Sequence, residues 1–236
     1  MYKYNLITMK RTDFYFCLIV VALFAPFFLS SSLYAGYQSF NAEHGMVMSF
    51  LKFAVLSTLG ELLGLRISTG QYLRKGFGVL PRAVVWGVLG MGINLAFIVF
   101  STGVPAAAGY LGVDDPAAIM AGPVTLSKVL LAFAISVCLN SIFAPVFMTF
   151  HKITDTHILA TGGTLRGLFT PIPMGKIMQN LNWRVQWDFV FKKTIPLFWF
   201  PAHTITFLLP GEMRVLFAAL LGVALGVILA VAARKK

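Results

Sequence analysis

Apolar residues fall into six long stretches, at about 14–34, 46–65, 79–102, 124–150, 195–209 and 215–233, with polar connections between them. A helix needs about 20 apolar residues to cross the hydrocarbon core of a bilayer. Four of the stretches meet that length easily. The second is interrupted by Lys52 and Glu61, and the fifth is short and contains Pro196 and Pro201. The pattern predicts an all-α, polytopic transmembrane helical bundle of about six membrane segments, one of them short and proline-broken. Residues 1–45 form a signal-anchor helix with an outer loop, and residues 46–236 form the membrane bundle.

The first stretch has two readings. A basic start, an apolar core and the run Ser30-Ser31-Ser32-Leu33-Tyr34-Ala35 resemble a secretory signal peptide. The apolar run is long, however, and Leu33 spoils a small-x-small cleavage site, so an uncleaved signal anchor is expected. Between 151 and 186 lies the one long polar connection, with Gly162-Gly163, Pro171 and Pro173. Its part from Met174 to Trp187 is amphipathic. Lys176, Arg184, Trp183 and Trp187 suit an interfacial helix at the headgroup boundary, and an ordered loop with one short helix is the other reading.

Charge gives an independent view of topology. Basic residues collect on the cytoplasmic side of membrane proteins. Lys3, Lys10 and Arg11 precede the first stretch; Arg66, Arg74, Lys75 and Arg82 lie between the second and third. Lys152, Arg166, Lys176, Arg184, Lys192 and Lys193 lie between the fourth and fifth, and Arg234, Lys235 and Lys236 close the chain. With six crossings, sixteen of the 19 basic residues share one side, while Glu43, Asp114, Asp115 and Glu212 lie opposite. Both termini are therefore expected inside.

Composition agrees with this reading. Of 236 residues, 58% are hydrophobic and 11% charged, against about 25% charged in soluble domains. The net charge of +11 belongs to topology and anionic lipid rather than to nucleic acid. Cys17 and Cys138 both sit in apolar runs and form neither a disulfide framework nor a zinc pattern. No metalloprotease, nucleophile-elbow or phosphate-loop motif is present, so an enzyme is not expected, and no cofactor or metal is assigned. His151 and His157, six apart, read as part of a solvated loop.

Polar groups inside apolar spans carry more information, because a charge at the bilayer centre costs about 3 kcal/mol and is sheltered by other helices or by water. Glu61 is the deepest carboxylate, with Ser57 and Thr58 one turn before it. It reads either as a pathway residue or as a structural tie to a Lys or Arg. Asn94, Asn140 and His203 are the other pore or solute-pathway candidates, with interhelical hydrogen bonding and packing as their alternatives. Lys52 and Lys128 sit near outer span ends, where long side chains snorkel. Gly60/Gly64, Gly87/Gly90/Gly92 and Gly222/Gly226 mark close helix contacts, the last suited to packing within the chain or to a homo-oligomer. Pro196 and Pro201 are expected to kink or break the fifth stretch, which makes it a second candidate for lining a cavity.

Trp199-Phe200-Pro201-Ala202-His203, then Phe207-Leu208-Leu209-Pro210, then Arg214, resemble a known signature. It is that of the Mpv-seventeen and twenty-two-kilodalton peroxisomal membrane protein family, found in eukaryotes and bacteria. Gly60-Glu61, Lys128-Val129-Leu130-Leu131, Ala144-Pro145 and Asn182-Trp183 are similar to family positions in the same order, so the resemblance spans about residues 50–233. His203 stands for the family's Gln, Thr206 lies near an expected Asn, Ala132-Phe133 replaces an Asp-Gln pair, and the closing Trp is absent. The resemblance implies a bacterial-type member in an inner bacterial membrane, or else a mitochondrial or peroxisomal one, often suggested to be a small-solute channel. The motif residues it implies are Gly60, Pro145, Trp183, Trp199, Pro201, Phe207, Pro210 and Arg214.

Two functions are expected from these features. The first is a channel for small hydrophilic solutes or ions through Glu61, Asn94, Asn140 and His203. The second is a non-conducting membrane scaffold acting through partner helices, including a second copy at Gly222 and Gly226. Lipid is the common partner of both.

Overall fold

A computed structural model describes residues 9–234, with side chains described for residues 9–231. The topology residues Lys3, Lys235 and Lys236 lie outside the described residues, as does the side chain of Arg234. All regular structure among the described residues is helical. Its elements are α1 (Arg11–Leu29), α2 (Ser31–Glu43), α3 (Gly45–Thr69), α4 (Val79–Tyr110), α5 (Pro116–Ala121), α6 (Leu126–Ala160), α7 (Leu165–Leu168), α8 (Met174–Gln179) and α9 (Trp183–Val185). A π-helical segment, Gln186–Trp199, then runs directly into α10 (Phe200–Leu208), and α11 (Gly211–Arg234) closes the chain.

Among the described residues five helices are long and apolar enough to cross a membrane: α1, α3, α4, α6 and α11. The chain is an integral membrane protein built as an all-α bundle. The fifth apolar stretch differs from expectation, since it is continuous helix from Gln186 to Leu208 rather than broken. Pro201 stands two residues into α10, just past the change from π to α winding. Pro196 is absorbed within the wider π winding. The break comes instead at Leu209–Pro210, where α10 ends and α11 begins.

The first stretch also divides. Ser30 takes an extended backbone, and its hydroxyl accepts the Leu33 N–H at 3.3 Å, capping a separate helix α2 where a loop was expected. α2 has a purpose at the outer end. Its Asn41 accepts a 2.5 Å hydrogen bond from Lys52, whose ammonium also lies 5.5 Å from the Tyr37 ring. Lys52 is thus buried and partnered rather than snorkelling. Lys128 is held likewise by the Gly122 carbonyl at 2.6 Å.

α3 is the hub, packed against α4 on one side and α11 on the other; α4 packs on α6, and α6 on α10. The core between them contains Phe53, Leu56, Ile93, Phe97, Ile135, Leu139 and Phe207. Small residues set the spacing. A Cβ on Gly90 would lie 2.5 Å from Phe53 Cβ, and one on Gly60 would lie 3.1 Å from the Val223 backbone. The expected contacts at Gly60, Gly87 and Gly90 are therefore real, whereas Gly92 faces open space. α1 stands apart. Its one buried side chain is Asp13, paired with Arg66 at 2.6 Å, and Lys10 donates to the Gly70 carbonyl at 2.8 Å. Tyr72 stacks on Phe16, and burial together with a hydrogen bond to Asp13 pushes its phenol up to about 12.

α4 and α6, with 32 and 35 residues, are longer than the ~20 residues a core requires. Their extra turns carry polar groups beyond the apolar part. His151 and His157, expected in a loop, accordingly lie on α6. His157 is buried with Nε2 3.0 Å from the Gly167 carbonyl. The interfacial segment divides into α8, a turn, α9 and the start of the π segment. Trp183 donates to Met178 O at 2.8 Å, and Trp187, half exposed, sits beneath Lys192 at 5.7 Å.

Candidate solute-binding cavity

Helical periodicity places Ser57, Gly60, Glu61 and Gly64 on one face of α3, and Asn140, Phe143, Ala144, Phe147 and His151 on one face of α6. With Trp86 and Phe97 of α4, Trp199 and His203, and Gly222 and Gly226 of α11, these faces line a partly open cavity of about 350 Å³. Such a volume lies within the usual range for small-molecule sites. The wall is mostly aromatic and aliphatic. Polar groups enter it at two places.

The first is an ion-pair cluster at the end of the bundle that carries the basic connections. Glu61 Oε2 accepts from Arg82 Nη1 at 2.7 Å, and Glu61 Oε1 accepts from Trp86 Nε1 at 2.9 Å. His151 Nε2 lies 3.4 Å from Oε1, and its ring stacks on Trp86 at 4.4 Å. Arg82 also pairs with Asp155, donates from Nε to the Phe77 carbonyl at 2.7 Å, and covers the Phe77 ring at 4.3 Å. Glu61 therefore lines the cavity and is tied to an arginine at once, as the structural reading of this residue expects. Full pairing is what makes a charge tolerable at such a depth. The sequence had singled out neither Trp86 nor Asp155, and had read Arg82 for topology and His151 as part of a solvated loop. A signal was available: Arg82/Trp86 and His151/Asp155 are both i,i+4 pairs, hence same-face neighbours on their helices.

The second polar point lies deeper. Asn140 donates to the Ser136 carbonyl at 2.8 Å, and its Oδ1 meets His203 Nδ1 at 3.1 Å. Ser136 Oγ donates to the Phe200 carbonyl at 2.8 Å, joining α6 to α10. Thus Asn140 and His203, expected as pathway candidates, do meet at the cavity wall. Asn94 does not. Its amide donates to Gly45 O at 3.4 Å and approaches Met46 Sδ at 3.3 Å, away from the cavity, so it ties α4 to the start of α3.

Gly222 and Gly226 face inward. The Gly226 carbonyl lies 3.9 Å from a Cβ built on Gly64, and Gly222 has nothing within 4 Å because it borders the cavity. Their small size is used within the chain. The other motif residues have local roles. Arg214 donates to the Leu209 and Phe207 carbonyls at 3.1 and 3.4 Å, capping α10 across Pro210, while the Pro145 carbonyl accepts from the Thr149 hydroxyl at 2.7 Å. Cys17 is exposed on α1, not packed.

Among the described residues no group of three or more His, Cys, Asp and Glu is placed to hold a metal ion. In comparison with known proteins, the chain matches no family model, no curated protein and no solved structure.

Proposed function

We propose that this integral membrane protein provides a permeation pathway for small solutes through the interior of its bundle. The observation that carries the reading is the cavity of about 350 Å³ in which Glu61, His151, Asn140 and His203 border apolar walls. Bound charge at one end and a hydrogen-bonding pair further in offer a solute two polar stations separated by a dry passage. Apolar walls of this kind disfavour a hydrated ion, so the solute class narrows from hydrophilic molecules and ions to weakly polar molecules.

Membership of the Mpv-seventeen and twenty-two-kilodalton family is part of the same proposal. It is supported by the motif from Trp199 to Arg214, of which Phe207, Pro210 and Arg214 come together at the α10–α11 junction. A non-conducting scaffold is the second reading, favoured by α1, which carries exposed apolar residues along most of its length and is tied to α3 at its base.

Solute flux into liposomes separates the two. Reconstituted wild-type protein should pass small uncharged solutes faster than empty vesicles do. Gly222→Leu, which adds bulk to open space without displacing a neighbour, should suppress that flux while leaving the fold intact. Vesicles as tight with wild-type protein as without it favour the scaffold.

A further inference from the structure

Within the cavity one corner is chemically incomplete. Asn140 uses its amide N–H groups on Ser136, leaving Oδ1 as the acceptor facing His203 Nδ1. In neutral imidazole one nitrogen donates and the other accepts. With Nδ1 donating to Asn140, Nε2 is the lone-pair nitrogen, and His203 lines the cavity. The Trp199 ring lies 4.9 Å from the His203 ring and shares the cavity wall with it, leaving Nε2 as the polar atom of this corner. Buried donors and acceptors in native proteins are ordinarily satisfied, and each exception calls for an explanation.

A lone-pair nitrogen on an apolar wall calls for one donor from the occupant, and a hydroxyl is the simplest group that supplies it. Phe97, Leu139 and Phe143 around this corner fit an apolar body. The volume is roughly twice that of a 150 Å³ cavity that holds one benzene ring, so the body is about two fused rings or an equivalent aliphatic length. Access also points to an apolar molecule. α6 and α11 both line the cavity, yet α11 packs against α3 and α10 without comparable packing against α6. That seam offers a route from the surrounding lipid.

We infer that the cavity binds an apolar molecule bearing a single hydroxyl, an alcohol or phenol, whose O–H donates to His203 Nε2. The inference rests on the permeation reading and names the chemical class of its solute. The test uses full-length protein in nanodiscs, with 1-naphthol and its near-isostere 1-methylnaphthalene as probes and empty nanodiscs subtracted. Saturable one-to-one binding of 1-naphthol is expected, with 1-methylnaphthalene about tenfold weaker or more, the usual effect of leaving a buried polar group unpaired. His203→Leu should erase that preference while keeping 1-methylnaphthalene affinity, and Gly222→Leu should weaken both probes. Equal wild-type affinity for the two probes, or no saturable binding of either, overturns the hydroxyl site. The wild-type comparison needs no variant, so it decides even if His203→Leu fails to fold. Equal affinities alongside flux that Gly222→Leu still blocks remove the hydroxyl site alone; flux indifferent to Gly222→Leu removes the permeation reading.

Discussion

Replacing Arg82 gives the sharpest test of how the bundle tolerates Glu61. The guanidinium is 7% exposed and bonds both Glu61 and Asp155, carboxylates on two different helices. Arg82→Met keeps much of the volume but strands both acids, with His151 and Lys152 as the remaining basic neighbours, Lys152 at 3.7 Å from Asp155. Removing one partner from a buried ion pair costs about 3–5 kcal/mol, because an uncompensated charge remains. Glu61→Gln is milder. Gln still accepts from Trp86, and Arg82 keeps Asp155, so the loss is that of one charged hydrogen bond, about 1.5–3 kcal/mol. The double variant carries the decisive sign. With Arg82 gone, Glu61→Gln removes a stranded charge, so the pair should be more stable than Arg82→Met alone. Reversible unfolding in mixed micelles, followed by tryptophan fluorescence, measures all three. Arg82→Met within about 0.5 kcal/mol of wild type, the range of an ordinary surface substitution, refutes the reasoning. So does a second substitution that simply adds to the first.

Further predictions concern glycine spacing, helix capping and one tyrosine. Gly60→Ala should lower stability by about 1–3 kcal/mol through overpacking against the Val223 backbone, whereas Gly222→Ala should be near neutral; both are read by the same unfolding assay. Arg214→Ala leaves the Leu209 and Phe207 carbonyls short of a donor and should cost about 1–3 kcal/mol, with helix content by circular dichroism checking that the loss is local. Tyr72, raised to about 12 from the ordinary 10.0, favours the folded state fully below pH 10, and that contribution disappears as pH rises through 12. Alkaline absorbance titration should therefore contain a late tyrosinate step that Tyr72→Phe removes.

Much of the fold was readable from the chain because a bilayer imposes a coarse length rule on apolar runs, which four of the six stretches meet easily, and the interrupted second also folds as a long helix, α3. The fifth stretch was harder. Proline was read as a breaker from propensity, but Pro196 and Pro201 lie within and just past a π-wound segment that keeps the helix continuous, and propensity alone does not reveal that winding. His151 and Asp155 were misplaced for a related reason. Polarity was read as the end of a helix, while α6 continues to Ala160. Glu61, Asn140 and His203 stood out because polar groups are costly among apolar neighbours. Arg82 did not, because a basic residue at a helix start already had an explanation in topology. That Glu61 and Arg82 meet depends on how α3 and α4 cross, which glycine spacing suggests without fixing. Asn94 had the same composition signal as Asn140, and only its position along α4, near the start of α3, separates their roles.

Xenon tests the cavity itself most directly, since it enters apolar voids and leaves well-packed protein alone. In a crystal pressurised with xenon, anomalous scattering should place an atom between α6 and α11 beside Gly222, and Gly222→Leu should abolish that peak. Wild-type crystals with no xenon inside the bundle would contradict the account, because the permeation pathway and the hydroxyl site both need that space.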